Sequence, residues 1–481
     1  MKKSVVNLLS GAMILTAMLS VSCGKDLADL TLGLETPATG GANLVISQGE
    51  TLDIPFTVGS LEGYSVTATA TCDNGDYTVV AELDGTGASG KVLLTAPDFI
   101  LENASVKITL TITDAANSRT VSQTIEVSAE SVLKTLTASN CHLTTPAAFI
   151  KFPAVKGNST EKLTLVKAEL LWEDALDLID TTFTLEGDAV YVKVAEGKKG
   201  NAVVCARDSE GTIVWSWHIW VSEEDATADT MSYTYTKEGV STTYHFMDRN
   251  VGALTSELGT ADVNGCFYQW GRKDPFPASN NEGGLKKLYD KNGLEMSIET
   301  ETTPEADNIP TSIKNPATRY TTAYSNGQSW ITSNTSGFNT ESAKDLWGFV
   351  SNSKSIYDPC PAGYRVPVTD AWRFLADNTF TKAEVKDENS IVIGYKVTSE
   401  DKKEYYLPAQ GEISATADEI SSCLGKSYYP ELNGYAYGRC WHNQFLSGDF
   451  KAYASEVTPG WYTAGYSYTT AYAFPVRCIK E

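Results

Sequence analysis

Apolar residues alternate with polar ones along much of this chain, and that spacing predicts strands. Leu52, Ile54, Phe56 and Val58 occur at every second position, as do Val106, Ile108, Leu110 and Ile112, with Lys107, Thr109 and Thr111 between them. A two-residue period places one set of side chains on one face of a pleated strand. Asp73-Asn74-Gly75, Asp84-Gly85 and Asp114-Ala115-Ala116-Asn117 punctuate these runs with turn chemistry. Short strands at this spacing, with almost no helical periodicity, predict an immunoglobulin-like β-sandwich over residues 43–131. Such modules usually serve as spacers.

A second β-rich module is expected over 132–224. Its most distinctive segments are Gly200-Asn201-Ala202-Val203-Val204 and Trp215-Ser216-Trp217-His218-Ile219-Trp220-Val221. In a strand, Trp215, Trp217 and Ile219 point one way and Ser216, His218 and Trp220 the other, so both faces should be covered. The segment could be an aromatic platform for sugar with His218 as its polar contact. A buried central strand with a hydrogen-bonded histidine is the favoured reading, because aromatic strands are commonly core. Cys141 and Cys205 flank this module's strands and could pair. Ser222 to Glu238 is acidic and threonine-rich and reads as a connector, placing the last domain at 232–481.

The N-terminus changes the picture from a β-rich protein to an exported one. Lys2 and Lys3 precede a short apolar run, Leu8 to Leu19, then small residues and Cys23. This order predicts a signal peptide over 1–22. Leu19-Ser20-Val21-Ser22-Cys23 resembles a bacterial lipobox, with its large apolar residue four positions before the cysteine where three is usual. The resemblance implies lipid on Cys23 as the first mature residue. Gly24-Lys25-Asp26 resembles the surface-export signal of lipoproteins in Bacteroidota. Residues 23–42 would form a polar tether. No other stretch reaches the ~18 apolar residues of a spanning helix, so lipid would be the only membrane attachment.

Charge excludes some partners. The chain carries a formal −22, and loss of Lys2 and Lys3 with the leader takes it to −24. Nucleic acid needs a basic face, and anionic lipid needs basic clusters; neither is expected as a partner. Eight cysteines besides Cys23 lie in an exported chain, where disulfides persist, and they allow about 105 pairings. With no CxxC and with His142, His218, His245 and His442 scattered, no structural metal is expected.

The last half carries five segments in order. They are His245-Phe246-Met247-Asp248-Arg249-Asn250-Val251-Gly252-Ala253, then Phe267-Tyr268-Gln269-Trp270-Gly271-Arg272-Lys273-Asp274-Pro275-Phe276-Pro277. Tyr357-Asp358-Pro359-Cys360-Pro361-Ala362-Gly363-Tyr364-Arg365-Val366-Pro367 and Leu407-Pro408-Ala409-Gln410-Gly411 follow, and Phe474-Pro475-Val476-Arg477-Cys478 closes the set. The set resembles the Fibrobacter succinogenes major paralogous domain, found in surface lipoproteins and fimbrillin-like proteins. That resemblance implies an α+β fold related to C-type lectin-like domains, in a multi-domain, mainly β chain. Two helices are expected, Thr340 to Phe349 and Thr369 to Ala376, each capped by its threonine, with Leu346, Trp347, Trp372, Leu375 and Ala376 inward. The resemblance also implies a disulfide tying a helix region to the last strand, a role Cys360 and Cys478 could fill. Cys423 and Cys440 enclose a Tyr/Gly-rich loop and are the next candidates; Cys72 and Cys266 lack obvious partners.

The chemistry points to binding rather than catalysis. Calcium-dependent lectin-like domains use a Trp-Asn-Asp signature, and the nearest segment is Trp441-His442-Asn443. Histidine and asparagine there remove charged oxygen ligands, so no calcium is expected. Asp73 to Asp76 reads as a turn. The aromatic cysteine context of formylglycine-generating oxidases, a G-x-S-x-G elbow, a Walker loop and an H-E-x-x-H helix are all missing. No enzyme activity and no cofactor are expected. The remaining candidate is the aromatic C-terminal stretch with Tyr435, Tyr437, Tyr453, Tyr468 and Tyr472. Candidate ligand contacts are Trp441, His442, Asn443, Trp461, Tyr462 and Tyr466, with surface and core readings equally open for the last three and core favoured for Trp441 and the other tyrosines of the stretch. The expected role is adhesion or glycan/protein binding at the cell surface. The other class is a structural fimbrial tip, anchor or envelope assembly subunit.

Overall fold

A computed structural model describes residues 30–34, 44–59, 65–185, 187–302, 307–321, 329–331, 344–399, 402–415, 420–421, 438–446, 451–458 and 461–481. The signal segment, Cys23, Cys423, Tyr435 and Tyr437 lie outside them, as does the expected tether except for 30–34, which corrects it: Leu30 is buried and Thr31–Leu34 is a strand paired with Thr51–Gly59. The chain is mainly β and multi-domain, and it divides into two compact units, Met1–Leu133 and Lys134–Glu481.

The first unit is a two-sheet sandwich. One sheet runs Thr31–Leu34, Thr51–Gly59, Ser89–Thr95, Thr78–Leu83; the other runs Leu44–Ser47, Arg119–Glu130, Ala104–Asp114, Thr67–Cys72. Ile54, Phe56, Val58, Val106, Ile108, Leu110 and Ile112 are buried on the inner faces, as the alternation requires. Asp84 makes its hairpin by accepting the Thr86 amide at 3.0 Å and the Ser89 hydroxyl at 2.6 Å. Leu44–Ser47 pairs parallel with Arg119–Glu130, and the remaining pairs are antiparallel.

In the second unit a six-stranded sheet runs Cys141–Thr144, Ile213–Val221, Gly200–Arg207, Lys167–Glu173, Leu288–Tyr289, Glu295–Met296. Its last two strands come from beyond residue 232, so the expected second module and last domain share one sheet. On one face Trp215, Trp217 and Ile219 pack with Ala202, Val204 and Ala206 against Ile150, Phe152, Val190 and Val192. On the other, Trp220 joins Trp270, Trp330, Trp347, Trp441 and Cys360–Cys478 in the core of the C-terminal part.

Polar side chains close that second face. His218 lies between Asn201 Oδ1 at 2.9 Å and the Tyr268 hydroxyl at 3.2 Å. Lys273 donates to the Ser216 carbonyl at 3.1 Å and pairs with Asp274 at 2.7 Å, whose carboxylate accepts the Ser216 hydroxyl at 2.6 Å. Asn140 donates to the carbonyls of Ile356 and Asp358. A buried cation is tolerated only with such partners.

The disulfide Cys360–Cys478 is formed. The expected Cys141–Cys205 bond is not: both thiols are free. Strand order gives the reason, since Ile213–Val221 lies between their strands. Two strand spacings put them ~10 Å apart, beyond the ~7 Å Cα limit of a disulfide. Cys72, Cys266 and Cys440 are also free thiols. The helix expected from Thr369 is a 3-10 helix, Thr369–Leu375, preceded by Val368 and without a side-chain cap. Three residues per turn stack Ala371 over Phe374 and Trp372 over Leu375, all four buried, which leaves Ala376 exposed instead of inward. Of the other expected helix, 340–343 lie outside the described residues; Leu346 and Trp347 are buried as expected. Asn308–Lys314 is an α-helix that the periodicity did not signal.

Candidate functional site

Three antiparallel strands, Gly438–Leu446, Lys451–Thr458 and Trp461–Thr469, carry the aromatic C-terminal stretch. Pairing slips between Trp441, opposite Ala454, and Phe445, opposite Ala452. His442, Asn443 and Gln444 therefore stand against Tyr453 alone, as a bulge. Bulges bend a strand and re-aim its side chains. Here the Asn443 amide donates to the Pro367 carbonyl at 2.9 Å, docking the bulge beside the 3-10 helix.

The bulge separates the three candidate ligand contacts. Trp441 is fully buried and donates its indole N–H to the Tyr268 carbonyl at 2.8 Å. His442 is fully buried and stacks on Trp372 at 5.8 Å. Both belong to the core, the favoured reading for Trp441, which corrects their candidacy as ligand contacts. The Thr369 hydroxyl gives its proton to Gln444 Oε1 at 2.7 Å, so His442 donates to it from Nδ1 at 3.2 Å. Desolvation holds the His442 pKa down at about 3, so its ring is neutral.

Asn443 differs. Its Nδ2 points at the Gly348 carbonyl, 3.4 Å away, and its Oδ1 has no partner among the described residues, though the side chain is fully buried. The opposite amide orientation would set two oxygens against each other. An unpaired buried acceptor costs ~1–3 kcal/mol, so one that persists asks for an explanation. Asn443 lines a cleft of about 790 Å³, whose other walls include Gln444, Tyr453, Tyr462, Tyr244, Asp370 and Arg373.

The cleft has a charged rim. Asp370 accepts Lys237 at 3.2 Å and faces Arg373 Nε at 3.6 Å. The Arg373 side chain is 46 % exposed, and neither Nη atom has a hydrogen-bond partner among the described residues. Tyr244 and Tyr462 are half-buried, and burial raises both phenols above their usual pKa. Gly465 brings its strand close: a Cβ there would lie 3.3 Å from both Thr369 Cγ2 and the Tyr453 ring.

Trp461 and Tyr466, 46 % and 51 % exposed, meet edge to face at 5.9 Å elsewhere on the same sheet. The structure thus brings Asn443 and Tyr462 to one cleft and pairs Trp461 with Tyr466 apart from it. Glu412 and Glu456 flank Arg439 in a buried ion cluster, with the Tyr468 hydroxyl on Glu456. No group of His, Cys, Asp and Glu among the described residues could hold a metal.

No known protein family matches the sequence, and no curated protein matches it. Among solved structures, a chimeric titin Z1Z2 is 16 % identical over 41 % of this chain and 100 % of its own, with a TM-score of 0.16. The YadV chaperone is 11 % identical over 40 % of this chain and 98 % of its own, with a TM-score of 0.17. The Bacteroides ovatus mixed-linkage glucan utilization locus SGBP-B, in complex with a mixed-linkage heptasaccharide, is 12 % identical over 41 % of this chain and 49 % of its own, with a TM-score of 0.13.

Proposed function

We propose that this chain is a lipoprotein of the outer membrane, anchored through Cys23 and displayed at the cell surface. In this reading it binds a glycan or protein ligand through residues 232–481 and performs no catalysis. Residues 43–131 act as an immunoglobulin-like spacer, and residues 232–481 take the lectin-like role implied by the five ordered motifs. The observation that carries the binding role is the cleft over the bulge, lined by tyrosines and by Asn443, whose Oδ1 has no partner among the described residues. Pockets of 300–1,000 Å³ with a few placed polar groups are typical of ligand sites. The lipid anchor is supported by the leader pattern and the residues after Cys23.

The full chain on a glycan array tests the binding role. Capture that falls at least tenfold in Gln444→Ala and Tyr453→Ala, with their melting temperatures kept, supports it. No capture, together with concentration-dependent polymerisation, supports the structural fimbrial class instead. Acyl labelling of wild type and Cys23→Ala in cells tests the anchor; equal labelling rejects it.

A further inference from the structure

The five-motif resemblance leaves the cleft's chemistry unassigned, because Asn443, Gln444, Asp370 and Arg373 all lie outside those motifs. Three features decide what could bind. First, Asn443 lines the cleft, and its Oδ1 is a buried acceptor without a partner among the described residues. Second, Gln444 beside it spends Oε1 on Thr369, and its Nε2 hydrogens have no partner among the described residues. One acceptor and one donor on successive residues match two adjacent hydroxyls, one giving a proton and the other receiving. Third, Lys237 and Arg373 face the cleft against the single carboxylate of Asp370, so its lining carries one excess positive charge in a chain of net −22. Asp370 faces Arg373 Nε and the guanidinium lies over the Tyr235 ring at 5.9 Å, while the Nη edge, without a hydrogen-bond partner among the described residues, can meet an oxyanion. Tyr244, Tyr453 and Tyr462 add flat apolar faces suited to a sugar ring.

Resting on the reading of this cleft as a binding site, we infer that its ligand is an acidic saccharide. Vicinal hydroxyls of the sugar engage Asn443 Oδ1 and Gln444 Nε2, and its carboxylate engages the Nη edge of Arg373. Lys237 and Asp370 position the guanidinium. The carboxylate–guanidinium contact is charge-assisted, and neither neutral probe can make it.

Calorimetric titration of the full chain tests this with three probes: trigalacturonic acid, its methyl ester, and a neutral glucose trimer. Trigalacturonic acid is expected to bind at least tenfold more tightly than either neutral probe. Arg373→Gln should remove at least tenfold of that affinity while leaving the ester's unchanged. Lys162→Gln, which removes an equal charge outside the cleft, should change neither. Equal binding of acid and ester that still depends on Gln444 would overturn the acidic class and leave the cleft as a binding site. Binding of none of the three probes would overturn the saccharide class. Capture of an acidic peptide instead would do the same while keeping the cleft. Full retention of acid binding in Arg373→Gln would overturn the assigned contact, since this exposed side chain can be replaced without unfolding the unit.

Discussion

His142, His218 and His442 illustrate how burial alone sets the behaviour of a titratable group. Each is at most 3 % exposed, and desolvation holds each pKa at about 3, well below the usual 6.5. His142 stacks on Phe152 at 3.8 Å and leaves Nε2 without a partner among the described residues. A histidine kept neutral by the fold gives its full stability above pH 6.5. Below that the unfolded chain takes up a proton that the folded one refuses, so stability falls as pH drops from 6.5 towards 3. Each such histidine should remove about 1.4 kcal/mol per pH unit across that window. Denaturant unfolding of His142→Phe and wild type at pH 7, 6, 5 and 4.5 checks this. The variant's advantage should widen as pH falls; parallel curves would reject it. The sequence scattered these histidines too far apart to suggest a metal; it signalled a buried, hydrogen-bonded His218 but carried no sign that His142 and His442 are core.

At the scale of elements, period-two alternation made the strands of the first unit readable. It also gave the two faces of Ile213–Val221, because a strand inside a sheet keeps strict alternation. Alternation does not hold at Trp441-His442-Asn443, where a bulge leaves Trp441 and His442 in the core and Asn443 in the lining of a cleft. A bulge depends on the partner strand, which local spacing does not encode. The Cys141–Cys205 expectation failed for a related reason: strand order is a long-range property. The motif residues also turned out to be ties within the core. Arg477 donates to Asn250 Oδ1 at 2.9 Å, Asn250 donates to Gln410 at 3.1 Å, and Gln410 accepts the Gly265 amide at 2.9 Å. Cys478 continues this knot into Cys360 across 118 residues of sequence. Closing so long a loop should stabilise the unit by about 4–5 kcal/mol in the chain-entropy picture. Reduction, or Cys478→Ser, should lower the urea midpoint of the second unit accordingly. An unchanged midpoint after verified reduction would count against it.

Across the whole molecule, the expected boundary near 224 crosses a continuous sheet and a polar, water-excluding face. Ser216, His218 and Trp220 on one side meet Asp274, Tyr268 and Ala253 on the other. A fragment of residues 134–224 should therefore bind a hydrophobic dye, self-associate and lack fixed aromatic circular dichroism, whereas 134–481 should unfold cooperatively. A monomeric, natively packed short fragment would show that the face is dispensable. The cleft was the least legible part of the chain, because its residues come from strands and loops more than 200 positions apart, from Lys237 to Gly465. One pairing in the first unit has a mechanical consequence. Leu44–Ser47 and Arg119–Glu130 run in the same direction, with Leu44 opposite Val127 and Ser47 opposite Glu130. Tension applied between the start of Leu44–Ser47 and the end of Arg119–Glu130 would slide these strands past each other, loading all four rungs at once instead of peeling them in turn. Under load, such a clasp would resist until it gives way as a whole.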